Sequence, residues 1–223
     1  MSDPSPLIRL SGIRFGYAGA ARPVLDGLDL TLHAGERVAV AGPNGAGKST
    51  LLQIVVGLLV PAAGTLEAFG AERREEKDFR EVRRRAGLVF QDPDDQLFCP
   101  TVREDVAFGP LNLGLGKRAA AERATETLES LGLHGYEERI THHLSGGEKR
   151  LVALATVLAM RPRVLLLDEP TNALDAEATE RLLAILENLG QAMMIVSHDR
   201  DTRLRLATRS LVLQQGMLVP GEA

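Results

Sequence analysis

Nine consecutive residues, Gly42-Pro43-Asn44-Gly45-Ala46-Gly47-Lys48-Ser49-Thr50, carry the spacing G-x-x-x-x-G-K-S of a loop that grips a polyphosphate. Glycines let such a backbone curl until successive N–H groups point inward. Lys48 brings a point charge to the terminal phosphates, and the Ser49 hydroxyl can ligate Mg²⁺. A second stretch, Val164-Leu165-Leu166-Leu167-Asp168-Glu169, is an aliphatic run ending in two acids. Adjacent side chains of an extended segment point in different directions, so the two can divide the work. Asp168 would hold Mg²⁺ through its water shell, and Glu169 would orient and polarise an attacking water. Alone, the pair could equally mark a turn before Pro170; beside a phosphate loop the chemical reading prevails. A third stretch, Leu144-Ser145-Gly146-Gly147-Glu148-Lys149-Arg150, offers Ser145 as a helix N-cap and two glycines that leave backbone N–H groups approachable.

These groups need a scaffold, and the hydrophobic pattern outlines one. Residues 37–41 read as a buried strand entering the loop and residues 50–56 as a helix leaving it, with the apolar run 51–60 a core helix. Strands are expected at 7–15, 28–32, 64–68 and 87–90, and a charge-dense, solvated loop and helix at 71–85. From 92 to 143 no strong strand occurs; Thr101 can cap a helix through Phe108, and 118–131 is a second helical stretch. Helix and strand then alternate again: helix 146–160, strand 164–167, helix 176–189, strand 192–196, a short helix at 200–206, and strands at 210–213 and 217–219. That order predicts an α/β chain, a mostly parallel sheet with helices on both faces, interrupted by an inserted α-helical subdomain. One domain over 1–223 is expected, with 1–91 and 144–223 forming the α/β core and 92–143 the helical insertion.

Composition narrows the classes. A chain of 223 residues, 44% apolar, can bury a sizeable core, and its net charge of −4 argues against a dedicated nucleic-acid binder. The single cysteine, Cys99, excludes an intrachain disulfide, and with no His or second Cys at ligand spacing it reads as a packing residue. Ser2-Asp3-Pro4-Ser5-Pro6 is polar and proline-broken, so no signal peptide is expected. No apolar run approaches the roughly 20 residues of a membrane span, so a membrane role would come through a partner.

Taken together, the three stretches closely resemble the ATP-binding-cassette family over essentially the whole chain: Walker A at 42–50, an LSGG-type signature at 144–150 and Walker B at 164–169. The resemblance implies a P-loop NTPase core with an antiparallel β subdomain, and an ATPase using ATP and Mg²⁺. It makes Tyr17 the aromatic that stacks on adenine, Gln91 a Mg²⁺ and water contact, Asn172-Ala173-Leu174-Asp175 the D-loop, and His198 a γ-phosphate contact. It implies a head-to-tail, ATP-dependent dimer with a second copy, in which Ser145, Gly146 and Gly147 of one chain close the site of the other. Two departures stand out: Glu148 where many relatives have Gln, and Asn172 opening the D-loop where Ser or Gly is commoner. His33, His134, His142 and His143 match no motif and read as surface or packing residues.

The stretch FQDPDDQLFCPTVREDVAFGPLNLGL, residues 90–115, is similar to the ATPases of energy-coupling-factor importers, especially the cobalt and nickel branch. This implies a transmembrane coupling subunit and a substrate-binding membrane subunit as partners, with the chain peripheral on the cytoplasmic face of the membrane. Asp92, Asp94 and Asp95 would lend charge to the docking segment, and Gln96-Leu97-Phe98 an exposed apolar element. Another transporter class, for vitamins, other small solutes or export, is the nearest alternative. A mechanoenzyme on DNA or the ribosome would carry a coiled-coil insertion or second cassette, and a small-molecule kinase would not need the signature.

Overall fold

The computed structural model describes residues 5–221. Ser2, Asp3 and Pro4 of the polar leading stretch, and Glu222 and Ala223, lie outside the described residues. The strands are β1 Ile8–Phe15, β2 Leu25–Leu32, β3 Arg37–Ala41, β4 Ala63–Ala68, β5 Ala71–Glu72, β6 Ala86–Val89, β7 Val164–Asp168, β8 Ala192–Val196, β9 Arg209–Gln214 and β10 Met217–Pro220. The α-helices are α1 Lys48–Val55, α2 Glu76–Arg85, α3 Val102–Asn112, α4 Lys117–Ser130, α5 Gly146–Leu158, α6 Ala176–Asn188 and α7 Arg200–Leu206.

The strands form two sheets. Four pair antiparallel in the order β2-β1-β4-β5; six form the order β10-β9-β3-β8-β7-β6, parallel except for β10. Every residue of β7 and β8 is buried, as a parallel strand covered on both faces requires. Their two-residue period sorts them between two cores. Leu166, Met194 and Val196 meet α1 and the inner face of the antiparallel sheet. Leu165, Leu167, Met193 and Ile195 meet α5, α6 and, beyond them, α3 and α4. Between β6 and β7 the described chain forms α3, α4 and α5 with two 3₁₀ turns and an isolated bridge from Thr101 to Ile140, but no strand.

Two sequence expectations change. The apolar run 51–60 is only half a core helix: α1 ends at Val55, Gly57 turns the chain at φ +70°, and Leu58 and Val60 are 51% and 71% exposed. The charge-rich segment 71–85 is not wholly solvated either. Phe79 and Val82, three apart on α2, are buried, and Phe79 fills the space at Gly57 where a Cβ would stand 2.2 Å from its ring.

The topology gathers the chemistry. The phosphate loop follows β3, Gln91 follows β6, Glu169 follows β7 and His198 follows β8, all at the carboxyl ends of adjacent parallel strands, where open α/β sheets bind ligands.

Candidate functional site

Residues 42–47 carry the chain from β3 into α1, and two positions there require glycine. Gly42 has φ +147°, and a Cβ would stand 2.7 Å from the Leu213 carbonyl oxygen. Gly47 has φ +104°, and a Cβ would stand 2.4 Å from Val24 Cγ1. Gly47 is also the N-cap of α1, with no side-chain cap and no acid in the first turn. The first amides and the positive end of α1 are therefore available to an anion. Lys48 is buried; its Nζ donates to the carbonyls of Gly42 at 2.9 Å and Pro43 at 3.1 Å. An ammonium has three donors, so one remains for a phosphate.

The two acids occupy different environments. Asp168 ends β7, 7% exposed, and its Oδ1 is buried without a hydrogen-bond partner. Burial pushes its carboxyl above the usual range; a Ser49 hydrogen bond pulls it back in part, Glu169 adds to the rise, and Lys48 and Arg150 oppose it. Glu169 is displaced from the strand by a left-handed φ of +45°, uncommon for a residue with a side chain. That turn carries its carboxylate to the loop after β8. There it accepts the His198 backbone N–H at 3.1 Å to each oxygen, and His198 Nδ1–H at 2.8 Å to Oε2.

One cleft of about 940 Å³ is lined by Tyr17, by Gly42, Pro43, Asn44, Gly45, Gly47, Lys48, Ser49 and Thr50, and by Gln91, Asp168, Glu169 and His198. Ala46 does not line it and packs against the core instead. Tyr17 is half exposed at the mouth: its hydroxyl bonds with Thr50 Oγ1 at 2.9 Å and its ring meets Phe15 edge-on at 5.0 Å. Ser145, Gly146 and Gly147 lie elsewhere, in a hollow of about 300 Å³ shared with Leu174 and Asp175. Ser145 caps α5 by a reciprocal pair of bonds: its Oγ accepts from Glu148 N–H at 3.3 Å, and Glu148 Oε2 accepts from Ser145 N–H at 2.7 Å.

The donor set fits Mg²⁺. A hydroxyl at Ser49, a carboxylate at Asp168 and an amide at Gln91 face one cleft, oxygen donors suit that hard cation, and the unpartnered Asp168 Oδ1 calls for a positive charge.

The segment after Gln91 differs from expectation. Leu97 is buried, and the Gln96 amide bridges β6 to α5, accepting from Phe90 N–H at 3.1 Å and donating to Ala153 O and Thr156 Oγ1 at 2.7 Å. Phe98 alone of the three is exposed, set edge-on against Phe108 at 4.9 Å. Asp92 caps a 3₁₀ turn and Asp94 pairs with Lys149 at 2.6 Å, so the acidic run is partly neutralised within the chain. The Cys99 thiol is pushed up to about 11 by burial and by Asp105, which keeps it unreactive.

Sequence reasoning missed Arg150. It is 4% exposed, with Nη1 donating to Phe90 O at 2.9 Å and Nη2 to Asn172 O at 3.4 Å. It thus joins the segment before Gln91 to the loop after Glu169. The signal was a cation in phase with Gly147, Leu151 and Leu154 on the apolar face of α5.

The sequence pattern of the ABC transporter family matches residues 25–172. A Brucella suis protein named as an ABC transporter ATP-binding protein is 57% identical, over 96% of this chain and 89% of its own. The energy-coupling factor transporter ATP-binding protein EcfA of Methanothermobacter thermautotrophicus is 48% identical, over 96% and 70%. The nickel import ATP-binding protein NikO of Rhodobacter capsulatus is 46% identical, over 95% and 87%. Among solved structures, CbiO1 of Clostridium perfringens, part of the ABC transporter complex CbiONQ, superposes with a TM-score of 0.85 at 33% identity, over 96% and 87%. A dimeric post-hydrolysis ATP-binding cassette bound to ADP and phosphate gives 0.86 at 28% identity, over 96% and 97%.

Proposed function

This chain is an ATPase of the ABC transporter family, and we propose that it drives an energy-coupling-factor importer whose cargo is a transition-metal ion, cobalt or nickel. The observation that carries the mechanism is the separation of the two anion-binding helix starts: α1 opens into the cleft of Lys48 and Glu169, whereas α5 opens into a different hollow. One chain therefore offers half of a site twice. A second copy, head to tail, brings Ser145, Gly146 and Gly147 to the far side of the nucleotide held by residues 42–50, forming two composite sites. Similarity to a cassette seen as a dimer supports this arrangement.

Within each site Tyr17 stacks on the adenine, and the loop amides with Lys48 and Thr50 hold the phosphates. Ser49, Asp168 and Gln91 hold Mg²⁺, which when bound draws charge from the phosphate oxygens. Glu169 orients and polarises the attacking water. His198 fixes the Glu169 carboxylate through its backbone and ring contacts and faces the γ-phosphate. Residues 92–143 act as a helical subdomain against the core of 1–91 and 144–223, and carry the movement to a transmembrane coupling subunit and a substrate-binding membrane subunit. The chain is peripheral on the cytoplasmic face of the membrane; among the described residues no helix is long and apolar enough to cross it.

Similarity to EcfA supports the importer class and similarity to the nickel import protein NikO supports nickel as cargo; cobalt is carried by the likeness of residues 90–115 to the cobalt and nickel branch. The cargo is tested by uptake of labelled cobalt and nickel in cells that express the chain with its membrane subunits. Glu169→Gln should lower both ATP turnover and uptake at least about a hundredfold while ATP still binds. If metal uptake persists while uptake of a vitamin or another solute collapses, the metal cargo is refuted. Near-normal turnover in the variant would remove Glu169 from its role.

A further inference from the structure

The start of α5 holds a contradiction. As the second anion site it should welcome a triphosphate, yet its first turn carries Glu148, one of the two departures from the family pattern. A carboxylate there, unpaired, would repel the charge the helix is to receive.

The surrounding side chains answer it. Arg139 Nη1 donates to Glu148 Oε1 at 2.7 Å, the Tyr136 hydroxyl donates to the same oxygen at 2.7 Å, and Ser145 N–H donates to Oε2 at 2.7 Å. The guanidinium lies over the Tyr136 ring, 4.2 Å from its centre, which fixes its plane. These donors, Arg139 first, hold the Glu148 carboxyl down at about 2, so it is anionic and neutralised at any working pH. Their backbone is also anchored: Val102 N–H donates to Arg139 O, Arg103 N–H to Glu137 O, and Thr141 N–H to Pro100 O.

We propose that Arg139, stacked on Tyr136, is a positioning residue that cancels the Glu148 charge and so keeps the start of α5 a receptor for the triphosphate held by a second copy of this chain. This rests on the composite-site reading above. Arg139 lines neither the phosphate-loop cleft nor the hollow at the start of α5; it acts through Glu148 and, by the Ser145 N–H bond, through the cap.

The test is a charge-cancelling pair of substitutions in the full-length chain. ATP-dependent dimerisation is followed by light scattering, and ATPase KM and kcat in parallel. Arg139→Met should raise the ATP concentration for half-maximal dimerisation, and KM, about tenfold, with kcat and nucleotide binding to the single chain little changed. Adding Glu148→Gln to Arg139→Met should restore both, because no charge is left to cancel. If Arg139→Met matches the wild type, or the double variant stays as impaired as the single, the proposal is overturned. If the wild type itself does not dimerise on ATP, the composite-site reading fails and takes the proposal with it. Should Arg139→Met melt early, Arg139→Lys carries the test. It keeps the charge without the second, longer contact of Arg139 Nη2 with Glu148 Oε2 at 3.5 Å and should retain most of the affinity; a loss as large as expected for Met overturns the charge-cancelling role.

Discussion

The two acids at the end of β7 make the sharpest residue-scale contrast. Asp168 is buried with one oxygen unpartnered, and its carboxyl is raised chiefly by that burial. A folded value above the unfolded one means that ionised Asp168 opposes folding at neutral pH, with stability regained as pH falls through the raised value. Asp168→Asn should therefore raise the melting temperature without nucleotide, by about 2–4 °C if it relieves ~1 kcal/mol, while abolishing Mg²⁺-dependent turnover. Differential scanning fluorimetry decides the first point; an unchanged or lower melting temperature would mean the burial is already compensated. Lys48→Ala should weaken nucleotide binding at least about tenfold, read by equilibrium titration, because it removes a charge-assisted contact. Lys48, Ser49, Asp168 and Glu169 could be singled out as candidates because the spacing within each motif is local, and all four line one cleft. The His198 ring on Glu169, 29 residues away in sequence, could not be read this way, since it depends on adjacent strands β7 and β8 ending at one level.

Among the elements, caps could be read and struts could not. Thr101 and Ser145 cap α3 and α5 as their sequence positions predicted, and the structure adds reciprocal bonds from Glu104 and Glu148 that complete a capping box at each. Nothing local announced that residues 100–103 hydrogen-bond to 137–141, or that Asp105 pins that junction. Asp105 is 2% exposed; its Oδ1 accepts Phe98 N–H at 3.0 Å and Cys99 N–H at 2.9 Å, and its Oδ2 accepts the Thr141 hydroxyl at 3.0 Å. Asp105→Ala strands three donors and should cost about 2–4 kcal/mol, measured by urea denaturation. Glu148 gives a pH signature instead. Its folded carboxyl lies near 2 against an ordinary 4.5, so its contribution is full above about 4.5 and is lost as pH falls toward 2. Between about pH 5 and pH 3 the wild type should lose more stability than Glu148→Gln; parallel losses in denaturation midpoint would contradict the three-donor geometry.

For the whole molecule, alternating strands and helices predicted the layered sheet well, because a buried parallel strand and an amphipathic helix have distinct periods. The exposed surface was harder to read: Leu97 and Phe98 are neighbours of similar hydropathy, and only the packing of the Gln96 bridge turns one in and the other out. If the membrane coupling subunit docks on this face, Phe98→Glu should abolish its co-purification with the chain; full recovery of the complex would place the docking surface elsewhere. The junction of 100–103 with 137–141 joins that face to the start of α5, so Phe98 and Ser145 sit on one strut. Coupling through a strut has no preferred direction. If ATP draws two copies together and the closed pair binds a membrane partner more tightly, the partner must tighten ATP by the same factor. A chain docked at the membrane would then hold its fuel tightly, and one adrift from it would hold the nucleotide loosely.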